Sequence, residues 1–210
     1  MRINYIPILI ILFFSACSHQ EKKENIEKKN FFYPRKEKFK TTKNLRNILL
    51  DSIDNYSELL KKMDQIACND SVPTISFSTK EENYKIISWY VCSNDVAGFH
   101  TLRSRIFLQN DSIYTNDKIK HPIDSLNLIL KKHLFNKGRN FYYSDSPKKA
   151  GIEIYHNSNT DPKVIKNQLI NLSREFDKLD NISPDTLYLY IYFRDMPFRT
   201  TPIKLAPKHN

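Results

Sequence analysis

The segment TLYLYIYF, residues Thr186–Phe193, carries the pattern on which the fold turns. Leu187, Leu189, Ile191 and Phe193 alternate strictly with Tyr188, Tyr190 and Tyr192. A period of two means an extended strand with one aliphatic and one aromatic face. The aliphatic face needs a covering layer, and residues just upstream supply it. Ile165, Leu169, Leu172, Phe176 and Leu179 step by three or four, the stripe of an amphipathic helix. Asp161-Pro162 marks the helix start, with Asp as N-cap and Pro at the first helical position, where a missing N–H costs nothing.

Further upstream the same grammar repeats. Gly151–His156 reads as a strand, preceded by a loop rich in Tyr, Ser and Pro. Ile123, Leu126, Leu130 and Leu134 form a helical stripe that begins at Pro122 and stops before Lys137-Gly138. Arg103–Gln109 and Ser112–Lys118 read as a hairpin across Asn110-Asp111. Tyr84–Ser93 is a strong strand, β-branched and aromatic, and Thr74–Thr79 a shorter one. Leu45, Leu49, Ile53, Tyr56, Leu60, Met63 and Ala67 step by three or four and predict one long helix over Thr42–Ala67. The expected fold class is α+β: an N-terminal helix plus one mixed or antiparallel sheet with two helices packed on one face. The expected domain runs from 42 to 197, with a Pro-containing tail over 198–210.

The stretches RIFLQNDSIYTNDKIKHPIDSLNLILKKHL, AGIEIYHNSNTDPKVIKNQLINLSREFDKL and TLYLYIYF together resemble the periplasmic domain of the ExbD/TolR biopolymer-transport family. The order is hairpin, helix, strand, helix, strand, and it covers about 90 residues. The resemblance implies a ββαβαβ fold and a periplasmic binding role. That family also has a transmembrane helix bearing an acidic residue that uses the proton gradient. Ile3–Phe14 contains no acid, so proton coupling is not implied here.

The amino end predicts location. Arg2 is followed by Ile3–Phe14, a mostly apolar run of signal-peptide length and too short to span a bilayer, which takes roughly 20 residues. Phe14-Ser15-Ala16-Cys17 resembles the lipobox of bacterial lipoproteins, although that family prefers an aliphatic residue where Phe14 stands. Residues 1–16 are then a leader, and Cys17 is the lipid-attachment residue through its nucleophilic sulfur. The alternative is an ordinary secretory signal with an incidental cysteine. Acylation at Cys17 places the chain on a Gram-negative envelope membrane. Ser18, in place of the Asp that resembles an inner-membrane retention signal, favours the outer one.

Residues 17–41 read as a basic disordered tether. Between Gln20 and Arg46 there are ten Lys or Arg against four Glu, so most of the net charge of +10 sits there. About 25 such residues reach roughly 80 Å when fully extended. Basic charge beside a lipid anchor faces anionic headgroups or acidic wall polymers, and nucleic acid is not expected. The aromatic knot Phe31-Phe32-Tyr33-Pro34 is the exception within the tether, placed to dock on the domain or at the membrane interface.

Cys68 and Cys92 are an even pair in an exported chain and suggest a disulfide. Five tripeptides share the form Asp, Ser or Thr, aliphatic; they are headed by Asp51, Asp70, Asp111, Asp124 and Asp185. The form is similar to an O-glycosylation sequon of some Gram-negative bacteria, and Ser71 and Ser112, expected at turns, suit it best. Asp-Ser is also ordinary turn and capping chemistry. The three glycines make no phosphate-cradling loop, and the histidines fall at no metal-ligand spacing. Glu153, charged within a predicted strand, is a lone acid. The sequence names no catalytic residue, no metal ligand and no cofactor. Its functional expectation is a periplasmic binding or scaffolding module that touches an envelope protein or peptidoglycan. The alternatives are an envelope enzyme whose site assembles only in three dimensions, and a surface-exposed lipoprotein.

Overall fold

The computed structural model describes residues 28–95, 104–115, 119–180 and 187–194. The leader, Cys17 and the 198–210 tail lie outside those residues. The fold is α+β, built on two mixed sheets.

The C-terminal sheet has five strands: β5 (Arg105–Gln109), β6 (Ser112–Thr115), β7 (Ile119–Pro122), β8 (Gly151–Tyr155) and β9 (Tyr190–Arg194), in the order β7-β6-β5-β8-β9. β5 and β6 form the expected hairpin, with Asn110 at φ 52° in its turn. β8 runs parallel to β5 and to β9. Helices α3 (Leu126–Leu134) and α4 (Pro162–Asp180) are the crossovers. Their stripes share one core with Ile106, Ile152, Ile154, Ile191 and Phe193, so the aliphatic face of β9 is the covered one. Asp161 Oδ1 accepts the Lys163 N–H at 2.7 Å and caps α4, with Pro162 at its first position. Pro122, expected at a helix start, instead ends β7. As an edge-strand residue it withholds no bond the sheet needs, and a 3-10 turn over Ile123–Ser125 precedes α3.

The second sheet corrects the expectation of a single one. Its strands are β1 (Lys29–Tyr33), β2 (Leu45–Leu49), β3 (Val72–Ser78) and β4 (Glu82–Ile87), in the order β1-β4-β3-β2. Two sequence readings are overturned here. The helix expected over 42–67 begins only at Tyr56, as α2 (Tyr56–Ala67). Leu45–Leu49 pairs with β3 instead, placing Ile48 opposite Ile75, and Ile48 and Leu50 are buried while Leu49 is half-exposed. The spacing of Leu45 and Leu49 fits a helix, but the burial follows the period of two. Asn55 supplies the true cap, its Oδ1 accepting the Glu58 N–H at 3.0 Å.

The tether reading is likewise overturned from Lys29 onward. β1 lies parallel to β4, and α1 (Lys36–Thr41) follows it. The aromatic knot docks on the domain: Phe31 stacks on Tyr84, and Tyr33 packs edge-on to Phe176. Tyr33 Oη donates to Asp177 at 2.9 Å, and Arg35 pairs with Asp180 at 2.6 Å. Burial, then the neighbouring carboxylate, pushes the Tyr33 hydroxyl pKa up. The apolar surface these rings bury outweighs the charge around them, which alone had suggested disorder.

The strand expected over 84–93 stops at Ile87. Ser88 then forms a parallel bridge to Ile191, and the Trp89 N–H donates to the Ile191 carbonyl at 3.3 Å. The chain leaving the first sheet thus runs along the edge of the second. Tyr56, fully buried on α2, places its Oη 2.8 Å from the carbonyl oxygens of both Ile154 and Arg194 and ties the helix to β8 and β9.

Candidate functional site

The face of the five-stranded sheet opposite α3 and α4 carries the unusual chemistry. Strand register brings its members together: Arg105 beside Gly151 and Tyr190, Phe107 beside Glu153 and Tyr192, and Tyr155 beside Arg194. Residues paired in register and alternate residues along a strand share a face. A strand that is aliphatic on its covered side thus delivers arginine, glutamate and tyrosine to the other.

Arg105 and Glu153 are 4% and 5% exposed and form an ion pair through Nη1 and Oε1. Tyr155 Oη donates to Glu153 Oε2 at 2.9 Å, and Arg194 Nη2 lies 3.6 Å from Oε1. One carboxylate therefore faces two guanidinium groups. The Arg105 guanidinium also lies 4.0 Å from the centroid of the Tyr192 ring, a cation–π contact in a desolvated place. Gly151 makes room for that ring. A Cβ there would sit 2.7 Å from a Tyr192 ring carbon.

The Arg105 terminal nitrogens form no hydrogen bond among the described residues; Nη1 has its ion-pair contact with Glu153 alone. Desolvation lowers the Arg105 pKa from its ordinary value, but a guanidinium starts so far above neutrality that it keeps its charge. Burial raises the Tyr192 hydroxyl pKa, with Arg105 and Arg194 pulling the other way.

A pocket of about 420 Å³ opens at this face. Arg105, Tyr192 and Arg194 line it from the sheet, and Trp89, Val91 and Asp95 from the segment after β4. That segment is fixed at several points. Cys92, also in the lining, is disulfide-bonded to Cys68 at the C-terminus of α2, with the Cα atoms 4.7 Å apart. Asp64 on α2 accepts the Ser93 N–H at 2.7 Å and its hydroxyl at 3.0 Å. Asp64 and the two sulfurs lie within 4.8 Å of one another, but sulfurs bonded to each other offer no thiolate to a metal.

A second cleft of about 640 Å³ lies between the β5–β6 turn and the start of α4. Its lining mixes amide side chains with Ile123, Leu126 and Val164, and its one histidine, His156, is bonded to Gln168 at 2.9 Å.

Of the sequence-predicted residues, Cys68 and Cys92 come together in the expected disulfide, and the others do not converge. Cys17 lies outside the described residues. Ser71 is half-buried beside Asp70 (φ 51°), its hydroxyl donating to the Asn69 carbonyl at 3.1 Å. Ser112, expected at a turn, is the first residue of β6 and also half-buried. Only Cys92 and Glu153 border the pocket region. Sequence reasoning did not single out Arg105, Arg194, Tyr192 or Trp89. The available signal was Glu153 itself, since a carboxylate flanked by Ile152 and Ile154 in a strand needs a cationic partner. Comparison with protein-family models, with curated proteins and with solved structures finds no match.

Proposed function

We propose that this chain is a lipid-anchored binding module of a Gram-negative cell envelope, which holds its ligand on the aromatic and cationic face of the C-terminal sheet. The observation that carries the binding role is the Arg105–Glu153–Arg194 cluster opening to the 420 Å³ pocket. Guanidinium groups recognise anions in a fixed fork and do not exchange protons, so this lining is built to bind and orient. The anchor rests on Cys17 and the apolar run before it, and on no part of the described structure. The element order β5-β6-α3-β8-α4-β9 is the one the ExbD/TolR resemblance implies, with β7 added between β6 and α3. It supports a periplasmic binding role.

The test places a photo-crosslinking residue at Val91, an exposed position on the pocket lining, in the full chain in intact cells. The control position is Leu128, exposed on α3 behind the sheet. Val91 is expected to give adducts with envelope material that Leu128 does not. Equal adduct profiles at the two positions refute the binding role. Labelling with a palmitate analogue tests the anchor separately: Cys17→Ser is expected to abolish incorporation.

A further inference from the structure

The aromatic face of β9 continues beyond the pocket. Tyr190 lies 6.2 Å from Trp89 by ring centroid, and Tyr188 stacks on Tyr190 at 5.9 Å with 14° between their planes. Alternate strand residues repeat every ~6.6 Å, so Tyr188, Tyr190 and Tyr192 form a row about 13 Å long. The rings are half-exposed, and Trp89 beside them is 37% exposed. One end of the row holds Arg105 and Arg194. At the other end the Lys38 ammonium lies 5.9 Å from the Tyr188 ring centroid, with Arg35 nearby but already bonded to Asp180 and the Leu187 carbonyl. A partly exposed cation, Arg194 at one end and Lys38 at the other, therefore stands at each end of the aromatic row. Among the described residues the negative groups near it include Asp95 on the pocket lining, Glu153 beneath Arg105 and Asp180 bonded to Arg35. Glu153 offsets one of the two guanidinium groups, and Asp95 enters from the opposite lining.

We infer that this track binds a carboxylate-bearing glycan, with a sugar acid on the partly exposed Arg194 and neighbouring rings lying along Trp89, Tyr190 and Tyr188. Tyrosine and tryptophan offer an apolar face with a polar tip, which suits a ring that is apolar on its faces and hydroxylated at its edge. The Arg194 guanidinium matches a carboxylate better than it matches a neutral sugar. Charge repeated at both ends of the row fits a polymer with repeated acid groups better than a single small anion. The inference rests on the binding role proposed above and specifies its ligand class.

The experiment titrates the purified, acylated full chain in detergent with four probes: an oligogalacturonate, its methyl ester, an inorganic polyphosphate of similar length, and an N-acetylated alanyl dipeptide with a free carboxylate. The oligogalacturonate is expected to bind at least about tenfold more tightly than the other three, the scale of one charge-assisted hydrogen bond. Arg194→Gln is the safer variant, since its side chain is 37% exposed and its loss leaves the buried pair intact. It should lower affinity for the acid by about tenfold and leave the ester unchanged, whereas Trp89→Ala should weaken both. Equal binding of acid and ester, equal binding of polyphosphate or dipeptide, or no effect of Arg194→Gln overturns the inference. If the acid fails to bind while Val91 still crosslinks to envelope material, only the ligand class is wrong. If both fail, the binding role falls as well.

Discussion

Glu153→Gln isolates the most exposed weakness of the site. The substitution keeps side-chain shape and an acceptor for the Tyr155 hydroxyl but removes the charge facing Arg105. Arg105 is 4% exposed and has no other acceptor for its terminal nitrogens among the described residues. Breaking a buried ion pair from one side costs about 3–5 kcal/mol, because the remaining charge stays desolvated. Arg194 loses its Glu153 contact as well, but it is partly exposed and turns to solvent at little cost. For a domain of this size a urea m-value of about 2 kcal/mol/M turns 3–5 kcal/mol into a midpoint shift of about 1.5–2.5 M. The companion variant Arg105→Met with Glu153→Leu removes both charges. It should be much closer to wild type than Glu153→Gln, since an apolar pair of similar volume is often neutral. Urea unfolding followed by far-UV circular dichroism measures both. A Glu153→Gln cost below about 1 kcal/mol, or a double variant as damaged as the single one, would refute the claim that the carboxylate holds a desolvated cation.

Further outcomes follow from the same contacts. Gly151→Ala sets a methyl 2.7 Å from the Tyr192 ring, so Tyr192 must shift off Arg105; a destabilisation of about 1–3 kcal/mol is expected, relieved in part by Tyr192→Ala, and urea unfolding of the pair checks it. Reduction of Cys68–Cys92 reopens a loop of about 25 residues and should cost about 3 kcal/mol on the chain-entropy account, measured as a fall in urea midpoint with added reductant that Cys68→Ser with Cys92→Ser does not show. His133, buried and accepting the Ser144 N–H at Nδ1, has its pKa pushed down to about 4 by desolvation. The unfolded chain therefore binds its proton first: this contribution is whole above the ordinary value near 6.5 and is lost as pH falls towards 4. Wild type should lose about 3 kcal/mol more than His133→Gln over that interval, and parallel stability curves for the two would count against it. Tyr33→Ala removes a 3% exposed ring and the bond to Asp177, and a loss of about 3–5 kcal/mol, with raised protease sensitivity around β1, is expected.

Periodicity made the C-terminal half readable. The alternation in β9, the stripe and the Asp161-Pro162 start of α4, and the Asn110-Asp111 hairpin all appear in the structure because local propensity and tertiary burial agree there. They disagree between Lys29 and Leu49. High charge argued for disorder, yet Phe31 and Tyr33 find Tyr84 and Phe176, partners more than 50 and 140 positions away that no local window contains. Leu45–Leu49 has helical spacing but a free strand edge beside it at β3. The site was hidden for a related reason. Arg105, Glu153 and Tyr192 belong to three strands, and only their register makes them neighbours. A lone glutamate in an apolar strand announces that a cation is near, without saying which.

The docking of β1 also sets a leash. Cys17 and Lys28 are eleven positions apart, and β1 begins at Lys29. However the intervening residues are arranged, a chain that short spans at most about 40 Å, half the distance a tether through residue 41 would reach. If Cys17 carries acyl chains, the globule stays within roughly its own diameter of the bilayer, and its target must come to the membrane rather than be fished for at a distance.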